Sequence, residues 1–195
     1  MNNEITVKVK CKLNELYKIL EEKGFEINDK FSLNDTYLIP KKLKIEEMST
    51  REILSHAVII RNIIQEEKVT NKITFKKKEF DNEGNILSQT AINCEIKDIE
   101  DAKKLFQAIE YKEIMNIKEN DLVYGKDGFN LAIKDIQNGE KLIEIETVED
   151  NKELDTIEKL KEKVASIEIP IYTDNYFVKK AEIELDKILG RVKND

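Results

Sequence analysis

Alternation of polar and apolar residues is the feature that most constrains the fold of this chain. In residues 4–10 the aliphatic side chains Ile5, Val7 and Val9 alternate with polar ones, and similar runs recur along the sequence. A period of two residues is typical of β-strands, in which successive side chains point to opposite faces of a sheet. The sequence therefore predicts antiparallel strands, each with one apolar and one polar face.

The alternating segments predict seven or eight strands with helices between them. The predicted strands are Glu4–Lys10, Phe31–Ile39, His56–Gln65, Asn71–Phe80, Ile86–Ile96, Glu113–Tyr124, Phe129–Ile136 and Lys141–Val148. A turn at Asp81–Gly84 is expected to join two of them as a hairpin. Apolar residues three and four apart predict helices over Asn14–Gly24, Asp98–Ile109, Asn151–Ser166 and Asp174–Leu189.

This order of elements predicts an α+β fold on a large antiparallel sheet flanked by helices. Closing the sheet into an eight-stranded β-barrel, or tunnel, would remove its exposed edges. The 195 residues suit one domain over 1–195. Residues 150–195 are expected to form a C-terminal helical segment packed on the barrel.

Composition excludes several classes of function. A net charge of -7 argues against a general nucleic-acid binder. Such proteins carry an excess of basic residues that replaces the counterions of the phosphates, and this chain has no such excess. One histidine and two cysteines cannot build a histidine and cysteine zinc site. The six glycines form neither a dinucleotide-binding nor a P-loop pattern. Any phosphate must therefore be held by side chains.

The start of the chain and its cysteines bear on location. Residues 1–4 precede no apolar signal segment, and no 18-residue apolar run follows. Two cysteines without an evident pairing are consistent with a reducing compartment. We therefore expect a cytoplasmic protein with no membrane partner.

The polar faces of the strands carry many charges. Lys72, Lys76 and Lys78 share one face of their strand, and Glu144 and Glu146 share a face of theirs. One interpretation is a sheet whose charged face is solvated. The other is a barrel with helices outside and charges lining a lumen, where basic residues hold a polyphosphate and carboxylates hold divalent metal ions. Alternation alone leaves both open.

An ordered set of motifs resembles the CYTH family, the triphosphate tunnel metalloenzymes. The set covers residues 1–150. The similar segments are Glu4-x-Thr6-x-Lys8 (family E-x-E-x-K), Leu20–Phe25 at a helix end, Asp35-Thr36-Tyr37, Ala57–Arg61 (L-R-I-R), Ile73–Lys76 (L-T-x-K), Glu95, Lys118 (start of K-x-R) and Leu142–Glu146 (F-x-E-I-E). The family includes class IV adenylyl cyclases, thiamine triphosphatases and inorganic triphosphatases.

The resemblance implies a barrel that encloses a triphosphate and binds one or two Mg²⁺ or Mn²⁺ ions. The phosphate-binding residues that it implies are Lys8, Lys10, Arg61, Lys76, Lys78 and Lys118. The metal ligands that it implies are Glu4, Glu95, Glu144 and Glu146. Glu144, Glu146 and Lys8 would form the catalytic set. The implied partner is a small-molecule triphosphate or polyphosphate, and a homodimer contact is an alternative role for the C-terminal helices.

The chain departs from the family pattern at its chemical positions. Thr6 replaces the second signature acid, and Asn120 stands where an arginine is expected. Lys134 stands where the family has a metal-binding aspartate; the adjacent Asp135 falls on the apolar face unless a one-residue bulge intervenes.

Three hypotheses follow from these departures. The first is a metal-dependent triphosphate hydrolase, with adenylyl cyclase a less favoured variant because cyclisation requires a precisely placed ribose hydroxyl. The second is a non-catalytic binder of nucleotides or polyphosphate on the same fold. The third is an α+β domain whose charged face is only solvated.

Overall fold

The computed structural model describes residues 4–80, 86–148 and 151–191, and side chains in these ranges except those of residues 78–89. The predicted turn at Asp81–Gly84 and the side chain of Lys78 lie outside the described residues. No helix in the described ranges is both long and apolar enough to cross a membrane.

The fold is α+β, as the alternation predicts. The strands are β1 (Glu4–Lys8), β2 (Glu26–Pro40), β3 (Val58–Gln65), β4 (Lys68–Phe80), β5 (Ile86–Glu95), β6 (Tyr111–Lys126), β7 (Phe129–Ile136) and β8 (Lys141–Glu146). The α-helices are α1 (Leu13–Glu22), α2 (Thr50–Ser55), α3 (Ile99–Ala108), α4 (Ile157–Ser166) and α5 (Lys180–Ile188), with a 3₁₀ turn at Ile45–Glu47.

The strands form one eight-stranded antiparallel sheet in the order β1-β8-β7-β6-β2-β3-β4-β5. Within the described ranges, β1 and β5 end this order, and no ladder of hydrogen bonds joins them. The prediction of a sheet closed into a barrel is therefore wrong.

The outer edge of β1 is covered by residues 170–178, which we call the edge segment. The Thr6 amide donates to the Tyr176 carbonyl at 2.8 Å, and the Val178 amide donates to the Thr6 carbonyl at 3.1 Å. The Tyr172 amide donates to the Lys8 carbonyl at 2.9 Å. These bonds satisfy the edge of β1 without β5, which is the physical reason that the strand needs no closing partner.

The edge segment also corrects a predicted helix. Helical spacing was expected from Asp174, but α5 begins at Lys180. Residues before it pair with β1 instead, and the Asn175 side chain accepts a hydrogen bond from the Phe177 amide at 2.8 Å. Asparagine competes with helix in this way by satisfying a nearby backbone donor.

The chain divides into two compact units, which share the strands β2 and β6. Unit I comprises residues 1–32 and 119–180, and unit II comprises residues 33–118 and 181–195. The two last helices therefore belong to different units, α4 to unit I and α5 to unit II. That residues 1–195 form a single domain stays a prediction.

The core of unit I lies between the apolar face of its strands and two helices. The strands contribute the odd-numbered aliphatic residues of β1, β7 and β8, all essentially inaccessible to solvent. Leu16 and Leu20 of α1 pack against them, as do Leu160 and Val164 of α4. The opposite faces of the same strands are thereby left for polar side chains.

Unit II has a smaller core of its own under α3. Leu38, Ile60 and Ala102 are buried, with Ile73 and Phe106 packed against them. Asp98 caps α3 by accepting a hydrogen bond from the Asp101 amide at 2.9 Å.

Helix α2 was missed because its six residues are too short to show a helical period. Its signal is a capping box, in which the Ser49 side chain accepts from the Glu52 amide and the Glu52 side chain accepts from the Ser49 amide. His56 is the C-cap of this helix, so the strand predicted from His56 begins at Val58 instead.

Packing of α4 on the sheet predicts a large stability effect. Leu160 is 0% exposed, so Leu160→Ala should lower the free energy of unfolding by about 2–5 kcal/mol through lost burial and a cavity. Leu105→Ala is the control, because Leu105 is 57% exposed, and should cost roughly 0.5 kcal/mol or less. Urea denaturation measures both; equal losses would contradict the described core.

Candidate functional site

The polar face of unit I collects acids from neighbouring strands. The β1–β8 register sets Glu4 opposite Glu146 and Thr6 opposite Glu144. Because side chains alternate, the even-numbered residues of both strands share the face opposite the core. Glu4, Glu144 and Glu146 each offer a carboxylate oxygen, and these oxygens lie within 4.8 Å of one another. We call these three residues the carboxylate group.

Open space adjoins the carboxylate group. A cavity of about 510 Å³ is lined by Glu144 and Glu146. Val123, Ala132 and Val148 form part of its remaining wall. That volume is within the range of small-molecule sites, and it gives access to Glu144 and Glu146.

Lys134 occupies the same face on β7. Its Nζ lies 3.2 Å from Asp121 Oδ2 and 3.4 Å from Glu144 Oε1. The Lys134 side chain is 10% exposed and that of Asp121 is 0% exposed. A buried ammonium therefore joins the carboxylate group to an acid on β6.

The β7 register shows whether Asp135 or Lys134 lies on the polar face with the acids. The register of β7 with β6 and with β8 runs without interruption through Lys134 and Asp135, so no bulge turns Asp135 onto the acidic face. Asp135 instead forms an ion pair with Lys141. The lysine thus stands among the acids where the resemblance implies an aspartate.

A second buried ion pair lies beside the first. The Lys180 Nζ lies 2.6 Å from Glu119 Oε1, with the two side chains 15% and 0% exposed. Among the described residues, Glu119 Oε2 and Asp121 Oδ1 are buried without a hydrogen-bond partner. Burying an unpaired carboxylate oxygen costs free energy, so these two acids lack part of the compensation that buried charges usually have.

The electrostatics follow from burial and proximity. Burial raises the pKa of Asp121 to about 6, although the Lys134 ammonium opposes the shift. Burial by itself lowers the pKa of Lys134, but Glu144, Asp121 and Glu119 outweigh it and raise that pKa above its ordinary value. Lys134 is therefore a permanent cation at neutral pH, facing three acids.

Glu119, Asp121, Lys179 and Lys180 were not predicted from the sequence. The signal for the first two was available, since they continue the face of β6 on which Met115 and Ile117 are buried. A pair of acids that extends a buried face is unusual, because acids are rarely fully buried unless they are paired. Lys179 and Lys180 gave no such signal, because they follow an irregular segment.

The predicted basic residues of unit I lie on or just beyond β1. Lys8 shares its face with Glu4 and Thr6, and its Nζ lies 3.5 Å from Glu140 Oε1. Lys10 places its Nζ 5.1 Å from the centre of the Tyr172 ring, in a cation–π contact. Lys8 and Tyr172 also line a cavity of about 390 Å³.

The other predicted residues lie in unit II. The Arg61 guanidinium contacts both carboxylate oxygens of Asp35, with its Nε and one terminal nitrogen each donating at 2.6 Å. Lys76 is partly buried on β4, whereas Glu95 is exposed on β5 opposite Lys72. Lys118 is exposed at the end of the unit. The carboxylate group contains three of the four predicted metal ligands and Glu95 belongs to the other unit.

The donor set of the carboxylate group fits a hard divalent cation. Mg²⁺ and Mn²⁺ prefer carboxylate oxygens, and three lie close together here. The unpartnered buried oxygens of Asp121 and Glu119 add negative potential on the same side of the sheet. Glu4, Glu144 and Glu146 are therefore the residues that would hold such an ion.

Neither a protein-family model nor a curated protein matches the sequence. The fold, however, is shared with solved structures. PH1819 from Pyrococcus horikoshii OT3 superposes with a TM-score of 0.69 at 19% identity, covering 98% of this chain and 100% of that one. A candidate adenylate cyclase from Vibrio parahaemolyticus gives 0.61 at 10% identity, covering 97% of each chain.

A third solved structure is HpAC1 from Hippeastrum, a candidate adenylyl cyclase with a dominant triphosphatase activity. It gives a TM-score of 0.56 at 13% identity and covers 92% of this chain and 93% of its own. At these identities the likeness establishes a shared fold. The eight-stranded antiparallel sheet with helices agrees with the fold implied by the motifs in residues 1–150, apart from closure of the sheet into a barrel.

The pKa of Asp121 predicts a pH effect on stability. Because the folded pKa of about 6 exceeds the ordinary 3.8, this group's stabilising contribution is complete below pH 3.8 and is lost as pH rises through 6. Between pH 4 and 7, Asp121→Asn should therefore gain on the order of 2 kcal/mol relative to the natural protein. Urea denaturation across this range measures it, and parallel pH profiles would refute the assignment.

Proposed function

We propose that this protein binds a small-molecule triphosphate together with Mg²⁺ or Mn²⁺ and hydrolyses it. The observation that carries the proposal is the carboxylate group on the polar face of β1 and β8, in which Glu144 and Glu146 line a cavity of about 510 Å³. The shared fold with HpAC1, which has triphosphatase activity, supports the same reaction class.

The proposed roles follow the polarity of the side chains. Glu4, Glu144 and Glu146 hold the cation, which when bound neutralises charge on phosphate oxygens. Lys8 lies on the same face of β1 as Glu4, so its ammonium is placed to contact phosphate. Its contact with Glu140 is partly exposed, at 38% and 39% of the two side chains, and such surface pairs are readily exchanged.

The remaining roles are proposals that rest on the resemblance. Lys10, Arg61, Lys76, Lys78 and Lys118 are proposed phosphate contacts, and Glu95 a further metal ligand. Arg61 is already held by both oxygens of Asp35. Its guanidinium is therefore fixed in orientation, which is what a phosphate contact requires.

Hydrolysis is favoured over cyclisation because it needs only water as a nucleophile. Phosphoryl transfer depends on positioning and on stabilising charge. The carboxylate group and Lys8 supply both kinds of contact on one face. Hydrolysis, unlike cyclisation, requires no residue that positions a ribose hydroxyl.

A non-catalytic triphosphate binder is the second candidate, and the Lys134 contact favours it. An ammonium 3.4 Å from Glu144 reduces the charge available to a metal ion, yet it can attract phosphate. Thr6 and Asn120 likewise leave fewer acids and bases than the family pattern. Such a site can retain affinity while losing turnover.

Phosphate release tests the hydrolase directly. Inorganic triphosphate, ATP and thiamine triphosphate are each supplied with Mg²⁺ or Mn²⁺. Glu144→Gln should lower release by about tenfold or more, because a neutral amide is a weaker ligand than a carboxylate for a hard cation. Glu158→Gln, on the exposed side of α4 in the same unit, is the matched control and should retain full activity.

Thermal denaturation of the same samples separates the candidates. Stabilisation by triphosphate without phosphate release would identify a binding protein. If Glu144→Gln combined with Lys76→Ala leaves any ligand-induced stabilisation unchanged, the charged face is only solvated and both proposals fail. The expected cytoplasmic location and the absence of nucleic-acid and membrane partners stay predictions.

A further inference from the structure

Two of the three members of the carboxylate group already contact a lysine. Lys134 Nζ lies 3.4 Å from Glu144 Oε1, and Lys179 Nζ lies 3.5 Å from Glu4 Oε1. The lysines come from separate parts of unit I, one from β7 and the other from the residue that directly follows the edge segment. Each places a positive charge against a carboxylate that would hold the proposed metal ion.

The two contacts differ in how firmly they are held. Lys134 is buried and is also bound by Asp121 at 3.2 Å. The Lys179 and Glu4 side chains are 32% and 40% exposed, so their contact is weak and exchangeable. A cation that binds the group therefore competes with both ammonium groups for these carboxylates, more readily for Glu4 than for Glu144.

The buried oxygens nearby show that these lysines do not satisfy the face. Asp121 Oδ1 and Glu119 Oε2 are buried without a hydrogen-bond partner among the described residues. Asp121 uses its other oxygen for Lys134, and Glu119 uses its other oxygen for Lys180. Each of these two acids therefore keeps one carboxylate oxygen without a hydrogen-bond partner although a lysine contacts the other.

Resting on the proposed function, we propose that Lys134 and Lys179 are resident counter-ions of the carboxylate group that compete with the metal ion and pass to the phosphates when a metal–triphosphate complex binds. Binding then exchanges partners: the metal ion takes the carboxylates, and the ammonium groups take the phosphate oxygens. We call this the exchange. Metal alone binds weakly because it must overcome two ammonium groups. Metal with triphosphate binds cooperatively, since each ammonium that loses a carboxylate gains a phosphate oxygen.

This exchange predicts effects of opposite sign from one substitution. Removing an ammonium removes a competitor of the metal, so affinity for Mn²⁺ alone should rise. The same change removes a phosphate contact, so affinity for triphosphate at fixed Mn²⁺ should fall. A lysine with a merely structural role would lower both or neither.

The experiment uses Lys179→Met, which is partly exposed and leaves no buried acid unpaired. Free Mn²⁺ is measured by its electron paramagnetic resonance signal. We expect roughly three- to tenfold tighter binding of Mn²⁺ alone, from one unit charge removed at a partly exposed site. Equilibrium dialysis of the imido analogue of inorganic triphosphate, which resists hydrolysis, should show a similar loss of affinity at fixed Mn²⁺.

Lys134 is tested in the double variant Lys134→Met with Asp121→Asn, which removes the buried pair without leaving Asp121 charged. It should change both affinities in the same directions as Lys179→Met. Lys141→Met is the matched control, because Lys141 is 34% exposed and pairs with Asp135 on the opposite face of the sheet. Its two affinities should equal those of the natural protein.

Several results would overturn the exchange. One is Mn²⁺ binding that is no tighter in both test variants than in Lys141→Met. Another is tighter Mn²⁺ binding with no loss of triphosphate affinity. Phosphate release is scored separately, so a protein that shows the exchange without turnover supports this inference and refutes the hydrolase.

Discussion

The ammonium of Lys134 between Asp121 and Glu144 is the contact on which the polar face of unit I depends. Asp121 is fully buried, and Glu119 beside it is nearly so. Without a cation, these acids would bear the desolvation cost of charge with no attraction to offset it. Lys134 lies 3.2 Å from Asp121 and 3.4 Å from Glu144, so β6, β7 and β8 are joined through a single side chain. These strands are held together by ion pairs on the polar face of the sheet and by aliphatic packing on the opposite face.

Backbone groups at the edge of the sheet also need partners. A strand with one free edge exposes amide groups that need partners. The edge segment supplies them to β1, and the chain then runs directly into Lys179 and Lys180, which contact Glu4 and Glu119. Covering the edge and neutralising the acids are therefore done by one stretch of chain. This coupling places the two lysines beside a site that no sequence spacing would have associated with them.

Alternation predicted most strands because a two-residue period with one buried face specifies both the strand and its sidedness. It placed Glu144 and Glu146 together, and it put Asp135 with the apolar residues, where its pairing with Lys141 confirms it. What it could not supply was pairing between distant segments. The edge segment takes its conformation from hydrogen bonds to β1, more than 160 residues earlier in the chain, and such tertiary contacts override local helical spacing. For the same reason, alternation gave no indication that Lys179 lies near Glu4. It also led to the prediction of a closed barrel, because it did not show that the edge segment covers β1.

The fold and the chemistry of the face carry different information. A shared fold with candidate cyclases and with a triphosphatase fixes where strands lie, but not the sign of the side chains on them. On the polar face, Glu119 and Asp121 of β6 lie beside Lys134 of the neighbouring strand β7. Acidic and basic side chains are therefore interspersed rather than gathered in separate groups. A face of mixed charge binds an anion or a cation alone poorly, because each meets repulsion from half of it. The proposed metal–triphosphate ligand brings both charges at once, which is why the exchange at Lys134 and Lys179 is proposed for that complex.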